Sequence, residues 1–317
     1  MAPFVFNKRA DLREFVAGFK KTQPGAKLGF VPTMGALHEG HGALLQKSVA
    51  ENAATVLSVF VNPKQFGPTE DFSQYPRTFQ ADLDLAARHN VTAVFAPTIT
   101  EMYPQGFATE IAVPPLANVL CGQVRKGHFD GVCTVVLLLL NLVQADNAYF
   151  GMKDFQQLTI IKRMVADLDH ATEIVGVPTV REQDGLALSS RNRYLSAEGR
   201  ESARAVPQAL AAAARVYLSG ERSPRILLQA AQDILAEHGL QPQYLELRDA
   251  DFLQDVSSAE ALPEKALLAL AQMIPGAAKP QGAQGVAVRD TRLIDNIVLC
   301  DQPFYLEILT ALEERAK

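Results

Sequence analysis

The sequence predicts an α/β fold: a Rossmann-like, doubly wound parallel sheet followed by a smaller C-terminal α+β domain with a short antiparallel sheet. Three observations carry that expectation. Up to about residue 183, short runs that are apolar throughout alternate with amphipathic stretches of helical spacing. That is the pattern of parallel strands covered by helices on both faces. Beyond it, two helical stretches precede three strand-like runs with no long helix between them, as in an antiparallel sheet. Finally, 317 residues are too many for one small core and enough for two domains.

In chain order, residues 28–31 read as a strand, 41–52 as a helix, 55–61 as a β-branched strand and 78–89 as a helix. Residues 91–96 form another buried-strand pattern, and 131–145 a helix apolar enough to be mostly buried. Residues 148–151, 154–168 and 173–180 then read as strand, amphipathic helix and strand. In the second part, 197–219 and 224–238 read as helices, the first alanine-rich, and 243–248, 266–273 and 292–299 as strands. The Gly, Ala, Pro and Gln of 275–285 read as a hairpin loop. The expected domains are 1–183 and 184–317.

Composition narrows the class. Hydrophobic residues at 48% and charged residues at 21% are ordinary for a globular protein. A net charge of -5 gives no global basic field for nucleic acid or anionic lipid. The longest apolar run, 132–140, is too short to span a bilayer, and the N-terminus lacks the pattern of a secretory signal. Cys121, Cys133 and Cys300 form no CxxC pair. A reduced, cytoplasmic protein without membrane or nucleic-acid partners is expected.

Four polar clusters stand mostly at the carboxyl ends of these strands, where an α/β sheet places its ligands. In PTMGALHEGH (32–41), Gly35 permits a tight turn and the following helix start favours an anion. His38 and His41, three residues apart, can add donors to the same phosphate, or can simply cap the helix. Zinc is the weaker reading, since the HExxH spacing is absent. In the second cluster (61–77), Asn62 and Gln65 are neutral amides suited to hydroxyl and carboxylate oxygens. In the third (149–165), Gly151 allows close backbone approach, Lys153 supplies a point charge, Asp154 caps a helix or accepts from a sugar hydroxyl, and Gln157 follows one turn inside. The fourth, DGLALSSRNRYLS (184–196), offers Ser189, Ser190 and the Arg191 fork. Taken alone, the second and third read equally as a solvated loop and a capped surface helix, and the fourth reads more readily as an interdomain linker than as a site. The set favours a phosphorylated compound beside a small oxygen-rich one.

These stretches resemble the pantoate–β-alanine ligase family, within the nucleotidyltransferase superfamily that carries the HxGH signature. The likeness runs through PTMGALHEGH, FVNPKQFG, YPRT, GHFDGVCTVV, YFGMKDFQQL and VPTVREQDGLALSSRNRYLS, and TRLIDNI extends it to the last strand. The resemblance implies that ATP activates the carboxylate of (R)-pantoate as pantoyl adenylate, with Mg2+ assisting, and that the amine of β-alanine then displaces AMP. It implies that Met34, Gly35, Ala36, Leu37, His38, Glu39, Gly40 and His41 line the ATP site, with His38 and His41 on the phosphates and His41 a proton donor. Gly151 and Asp154 would hold the ribose, Lys153 the phosphates, Met152 would act through backbone or packing, and Val180 would meet adenine through its backbone. Leu188, Ser189, Ser190 and Arg191 would flap over the phosphates. Gln65 and Gln157 would hold pantoate with Asn62 in support, Gln65 would border β-alanine, and Asp82 would neighbour magnesium through phosphate or water. A homodimer is implied as well. Leu188 stands where the family usually has Met, Met152 where Glu or Gln is common, and Lys126 where Pro is usual. Two rivals remain: nucleotidyl transfer onto a phosphorylated acceptor that stops there, and a nucleotide-binding regulator without turnover.

Overall fold

The structure, a computed structural model, describes residues 2–68, 70, 72–276, 290–300 and 308–309. It divides into two compact units, Met1–Val177 and Pro178–Lys317. The expected boundary between residues 183 and 184 falls inside the second unit.

The first unit runs β1 (Phe4–Phe6), α1 (Arg9–Thr22), β2 (Leu28–Thr33), α2 (Glu39–Glu51), β3 (Ala54–Val59), α3 (Phe79–Arg88) and β4 (Ala93–Phe95). Three single turns follow, α4 (Ile99–Met102), α5 (Pro114–Ala117) and α6 (Cys121–Val124), and then α7 (His128–Val143), β5 (Asn147–Gly151), α8 (Phe155–Asp167) and β6 (Glu173–Val177). The strands pair in the order β1-β4-β3-β2-β5-β6, all parallel. On one face Val31, Leu57 and Tyr149 pack against Leu44 and Leu45 of α2 and Leu85 of α3. Side chains alternate along a strand, so Phe30 and Val56 turn to the opposite face and are fully buried there. α7, apolar nearly all round, packs against α1, α8 and β2. Its lack of a polar stripe is what a helix enclosed by neighbours requires.

The strand order reverses between β2 and β5. Chain leaving β2 turns one way and chain leaving β5 the other, opening a crevice beyond their carboxyl ends. The candidate site is built there.

The second unit holds α9 (Ala197–Ala203), α10 (Ala205–Leu218) and α11 (Pro224–Glu237), with β7 (Tyr244–Asp249), β8 (Ala266–Ile274) and β9 (Thr291–Leu299) in an antiparallel sheet of that order. Alanines of α10 let α11 approach closely, and both bury Leu210 and Leu227 against Leu268, Leu270 and Ile297. Among the described residues, no helix is long and apolar enough to cross a membrane.

The expected fold class is what the structure contains, with local differences. β1 and α1 precede the first expected strand. The strand expected over 173–180 stops at Val177, because Pro178 has no N–H for the ladder. The single helix expected over 197–219 is two, broken at Arg204. Pro207 cannot donate to the carbonyl of Ala203, so the helix restarts with proline in its first turn, where that N–H is not needed. Residues 277–285 of the expected hairpin loop lie outside the described residues.

Candidate active site

The first wall of the crevice is the turn leaving β2. Gly35 and Ala36 both have positive φ, 78° and 51°, a region that strains an alanine. The carboxylate of Asp82 on α3 holds this turn: Oδ2 accepts from Ala36 N at 3.1 Å and Oδ1 from Leu37 N at 2.8 Å. Thr78 Oγ1 also donates to Asp82 Oδ1, at 3.3 Å. Asp82 is 2% exposed, and both its oxygens are committed to these donors. In this structure the carboxylate braces the turn after β2. Among the described residues, no group of three or more His, Cys, Asp or Glu could hold a metal ion.

The turn delivers His38 as the N-cap of α2 and His41 to its first turn. His38 Nδ1 accepts from Gly40 N at 3.2 Å, and His41 Nδ1 accepts from His38 N at 3.2 Å. This is a reciprocal capping box built from imidazoles. The ring centroids lie 4.2 Å apart. Because Nδ1 accepts in each ring, the ring proton sits on Nε2. Burial first, then His38, pushes the His41 pKa down to about 3; Asp154 opposes the shift and Lys153 adds to it. His41 is thus a neutral N–H donor at pH 7. The capping and ligand readings of the two histidines are compatible, since capping uses Nδ1 of each ring.

The second wall follows β3. Asn62 caps a 3-10 turn, Pro63–Gln65, and is 1% exposed. Its Nδ2 donates to Gln65 Oε1 at 3.1 Å and to Gly131 O at 3.0 Å, while Oδ1 accepts from Tyr103 Oη at 2.8 Å. Gln65 Nε2 lies 2.9 Å from Met34 Sδ, which joins this wall to the turn after β2. Beneath it, an added Cβ at Gly131 would stand 2.2 Å from the Lys64 carbonyl oxygen. Gly131→Ala is therefore expected to lower stability by about 1–3 kcal/mol through overpacking, read from urea unfolding.

His128 fixes the same turn from α7. Its Nδ1 donates to Gln65 O at 2.8 Å, and its Nε2 accepts from Arg125 Nη1 at 2.9 Å. Arg125 is itself clasped by Glu70, with Nε–Oε1 at 2.8 Å and Nη2–Oε2 at 2.6 Å. Burial, then the Arg125 charge, pushes the His128 pKa from 6.5 down to about 4. The folded ring resists a proton that the unfolded ring accepts. Its contribution to stability is therefore complete above about pH 6.5 and is lost as pH falls toward about 4. The parent is expected to lose stability across that window and His128→Gln to lose less of it, by an amount on the order of 3 kcal/mol. Denaturant midpoints at a series of pH values check this.

The third wall follows β5, the neighbour of β2. Gly151 ends the strand, and Met152, Lys153 and Asp154 form a 3-10 turn into α8. Lys153 Nζ is 3.9 Å from Asp154 Oδ2, and the fields of both reach His41. Gln157 sits half-buried in the first turn of α8. Its neighbour Gln156 is engaged in structure: Oε1 accepts from Cys121 N at 3.0 Å, and Nε2 donates to Leu116 O and Val119 O. A cavity of about 340 Å3 beyond β1, β3 and β4 shares Met34, Gly35 and Asp82 with the crevice but none of its imidazoles or glutamines.

The remaining expected residues belong to the second unit. Val180 O accepts from Leu188 N at 2.9 Å, closing a small hairpin. Ser189 caps a 3-10 helix, Ser190–Tyr194, with its Oγ accepting from Arg191 N at 3.3 Å. Sequence reasoning did not single out Glu70, Tyr103, His128, Glu182, Asn192 or Asp295. GHFDG carries part of the family likeness, yet nothing in it announces that His128 braces residue 65.

Chemically, the first unit offers imidazole donors, a lysine charge and a helix start for an anion, beside a pair of amides for a small oxygen-bearing molecule. The family model for pantoate–β-alanine ligase matches residues 4–298. A pantothenate synthetase of Caldicellulosiruptor saccharolyticus is 46% identical over 296 residues, covering 93% of this chain and 99% of that one. One from Moorella thermoacetica is 47% identical, covering 92% and 96%. Among solved structures, a pantothenate synthetase from Thermus thermophilus superposes with a TM-score of 0.81 at 41% identity, over 94% of this chain and 99% of that one. The pantoate–β-alanine ligase of Francisella tularensis, in complex with beta-gamma ATP and β-alanine, does so at 0.70 and 31%, over 94% and 98%.

Proposed function

The chain belongs to the pantoate–β-alanine ligase family, and from that premise we propose how its residues divide the reaction. The enzyme condenses (R)-pantoate with β-alanine at the expense of ATP, giving pantothenate. In our reading the pantoate carboxylate attacks the α-phosphorus of ATP, and pyrophosphate leaves. The β-alanine amine then attacks the acyl carbon of pantoyl adenylate; AMP leaves and the nitrogen gives up a proton. Neither step needs a covalent enzyme intermediate, so the work is alignment and charge stabilisation.

His38, His41 and Lys153 donate to the phosphates, with the backbone of residues 34–41 along the triphosphate. Gly151 and Asp154 take the ribose, with Met152 packing beside them, and Val180 meets adenine. Leu188, Ser189, Ser190 and Arg191 supply the second unit's donors. Gln65 and Gln157 hold pantoate, Asn62 fixes Gln65 at 3.1 Å, and Gln65 borders β-alanine. Magnesium enters with the triphosphate, and Asp82, which braces the turn at Ala36 and Leu37, neighbours it through phosphate or water. The observation that carries this reading is the convergence of imidazole pair, lysine turn and amide pair where the strand order reverses. Neutral amides suit a hydroxy acid; a phosphorylated acceptor would call for cations. A homodimer in the cytoplasm belongs to the same reading, and sedimentation at twice the chain mass tests the dimer.

The deciding experiment is ATP–pyrophosphate exchange with and without (R)-pantoate. Exchange that requires pantoate is expected; exchange indifferent to it defeats the adenylation step. A further consequence concerns His41. A polyanion beside its ring reverses the shift that burial imposes, so ATP binding takes up protons at about pH 5. Calorimetry in buffers of different ionisation enthalpy reads this, and His41→Gln removes the uptake.

A further inference from the structure

The segment bearing Ser189, Ser190 and Arg191 is held by charged side chains that contribute nothing to the phosphate site as described. Arg200, in α9, is the hub. Its Nε donates to Asp184 Oδ2 at 2.8 Å and its Nη2 to Glu182 Oε2 at 2.7 Å. The second oxygen of Glu182 accepts from Asn192 Nδ2 at 2.6 Å, and the same Nδ2 donates to Ala187 O at 3.0 Å. The second oxygen of Asp184 accepts from Leu186 N at 3.2 Å. Asp184 and Asn192 are buried. One guanidinium thus ties both carboxylates of the hairpin before the serines to the amide immediately after Arg191.

Two features separate this network from an ordinary surface ion pair. Its partners bracket a stretch of 3-10 helix only five residues long, too short to hold its own shape. Moreover, Asn192 is oriented by two acceptors, which leaves its buried Oδ1 without a hydrogen-bond partner among the described residues. Such an atom carries a cost that packing alone does not explain. Beside the network, Leu186 and Ala203 pack with Ile274 and Leu293, a cluster apart from the larger core around Leu210 and Leu268.

We propose that Glu182, Asp184, Asn192 and Arg200 are positioning residues that preset the Ser189, Ser190 and Arg191 donors for the adenylation step. This rests on the reading that those donors meet the phosphates. A misplacement of about 1 Å costs on the order of a hundredfold in rate, and donors already in place need no ordering when the transition state forms.

Arg200→Gln and Glu182→Gln are to be assayed by pantoate-dependent ATP–pyrophosphate exchange on the full chain, with Arg200→Lys as the conservative variant and Arg191→Ala as the control. The expected result is a fall in kcat of about tenfold or more for both glutamine variants, KM for pantoate unchanged, and partial recovery in Arg200→Lys. Rates within about twofold of the parent for both glutamine variants, with Arg191→Ala impaired, overturn the positioning role alone. An unimpaired Arg191→Ala instead overturns the reading that the segment meets phosphate, and the proposal with it. A loss that tracks a lowered unfolding midpoint in both variants, with no recovery in Arg200→Lys, assigns the network to stability only and also overturns it.

Discussion

Lys153→Ala will suppress pantoate-dependent ATP–pyrophosphate exchange by about two to three orders of magnitude, with circular dichroism unchanged. The size follows from where the charge sits. Lys153 stands at the end of β5, in the 3-10 turn that faces the imidazole pair across the reversal in strand order, and its field already reaches His41. The transition state gathers negative charge on the phosphates, and a fixed cation in a site with little water acts on that charge with small screening. The ion pair it makes with Asp154 is long, 3.9 Å, and half of the Asp154 side chain is exposed, so losing that pair costs the fold little. His41→Ala is expected to act in the same direction. Because His41 Nδ1 also caps α2 through His38 N, its loss adds about 1 kcal/mol of instability, which Lys153→Ala does not share. Near-normal exchange in Lys153→Ala would remove it from the phosphate site.

The largest effect on stability is expected at Arg181. Its guanidinium forms a two-pronged pair with Asp295 of β9, at 2.7 and 2.9 Å, and also donates to Gly185 O. The two side chains are only 6% and 1% exposed. Arg181→Ala strands a carboxylate away from water, which costs about 3–5 kcal/mol. Replacing both, as Arg181→Met with Asp295→Leu, avoids the stranded charge and is expected to recover most of that loss. Urea unfolding of the two variants decides the matter. A single variant as stable as its parent would mean that water reaches the pair.

The parallel sheet is legible because its central strands are buried on both faces and therefore free of charged residues, as in LGFV and ATVLSV. β1 is harder to read: three residues at the sheet edge, with Phe4 60% exposed, leave no pattern to detect. α1 carried a readable signal in Leu12, Val16 and Phe19, at helical spacing. Site residues that act on ligands are legible as unusual polar types at strand ends. Those that act on other residues are not. Asp82 braces Ala36 from 46 positions away, and Arg181 meets Asp295 from 114 away. Each looks like any surface charge until the chain is folded, because a pairing of distant residues leaves no trace in one sequence.

The all-parallel order also governs when the enzyme becomes competent during synthesis. β2 pairs with β5 through Gly29 with Asn147 and Phe30 with Ala148, so both histidines leave the ribosome more than a hundred residues before their lysine partner. Such distant pairings form slowly, after their loops are closed. A nascent chain that lacks β5 presents a capped helix and a glutamine turn but no cleft between them. In the proposed division of roles, nucleotide has nothing to grip until the first unit is essentially complete, and it stabilises only the finished sheet.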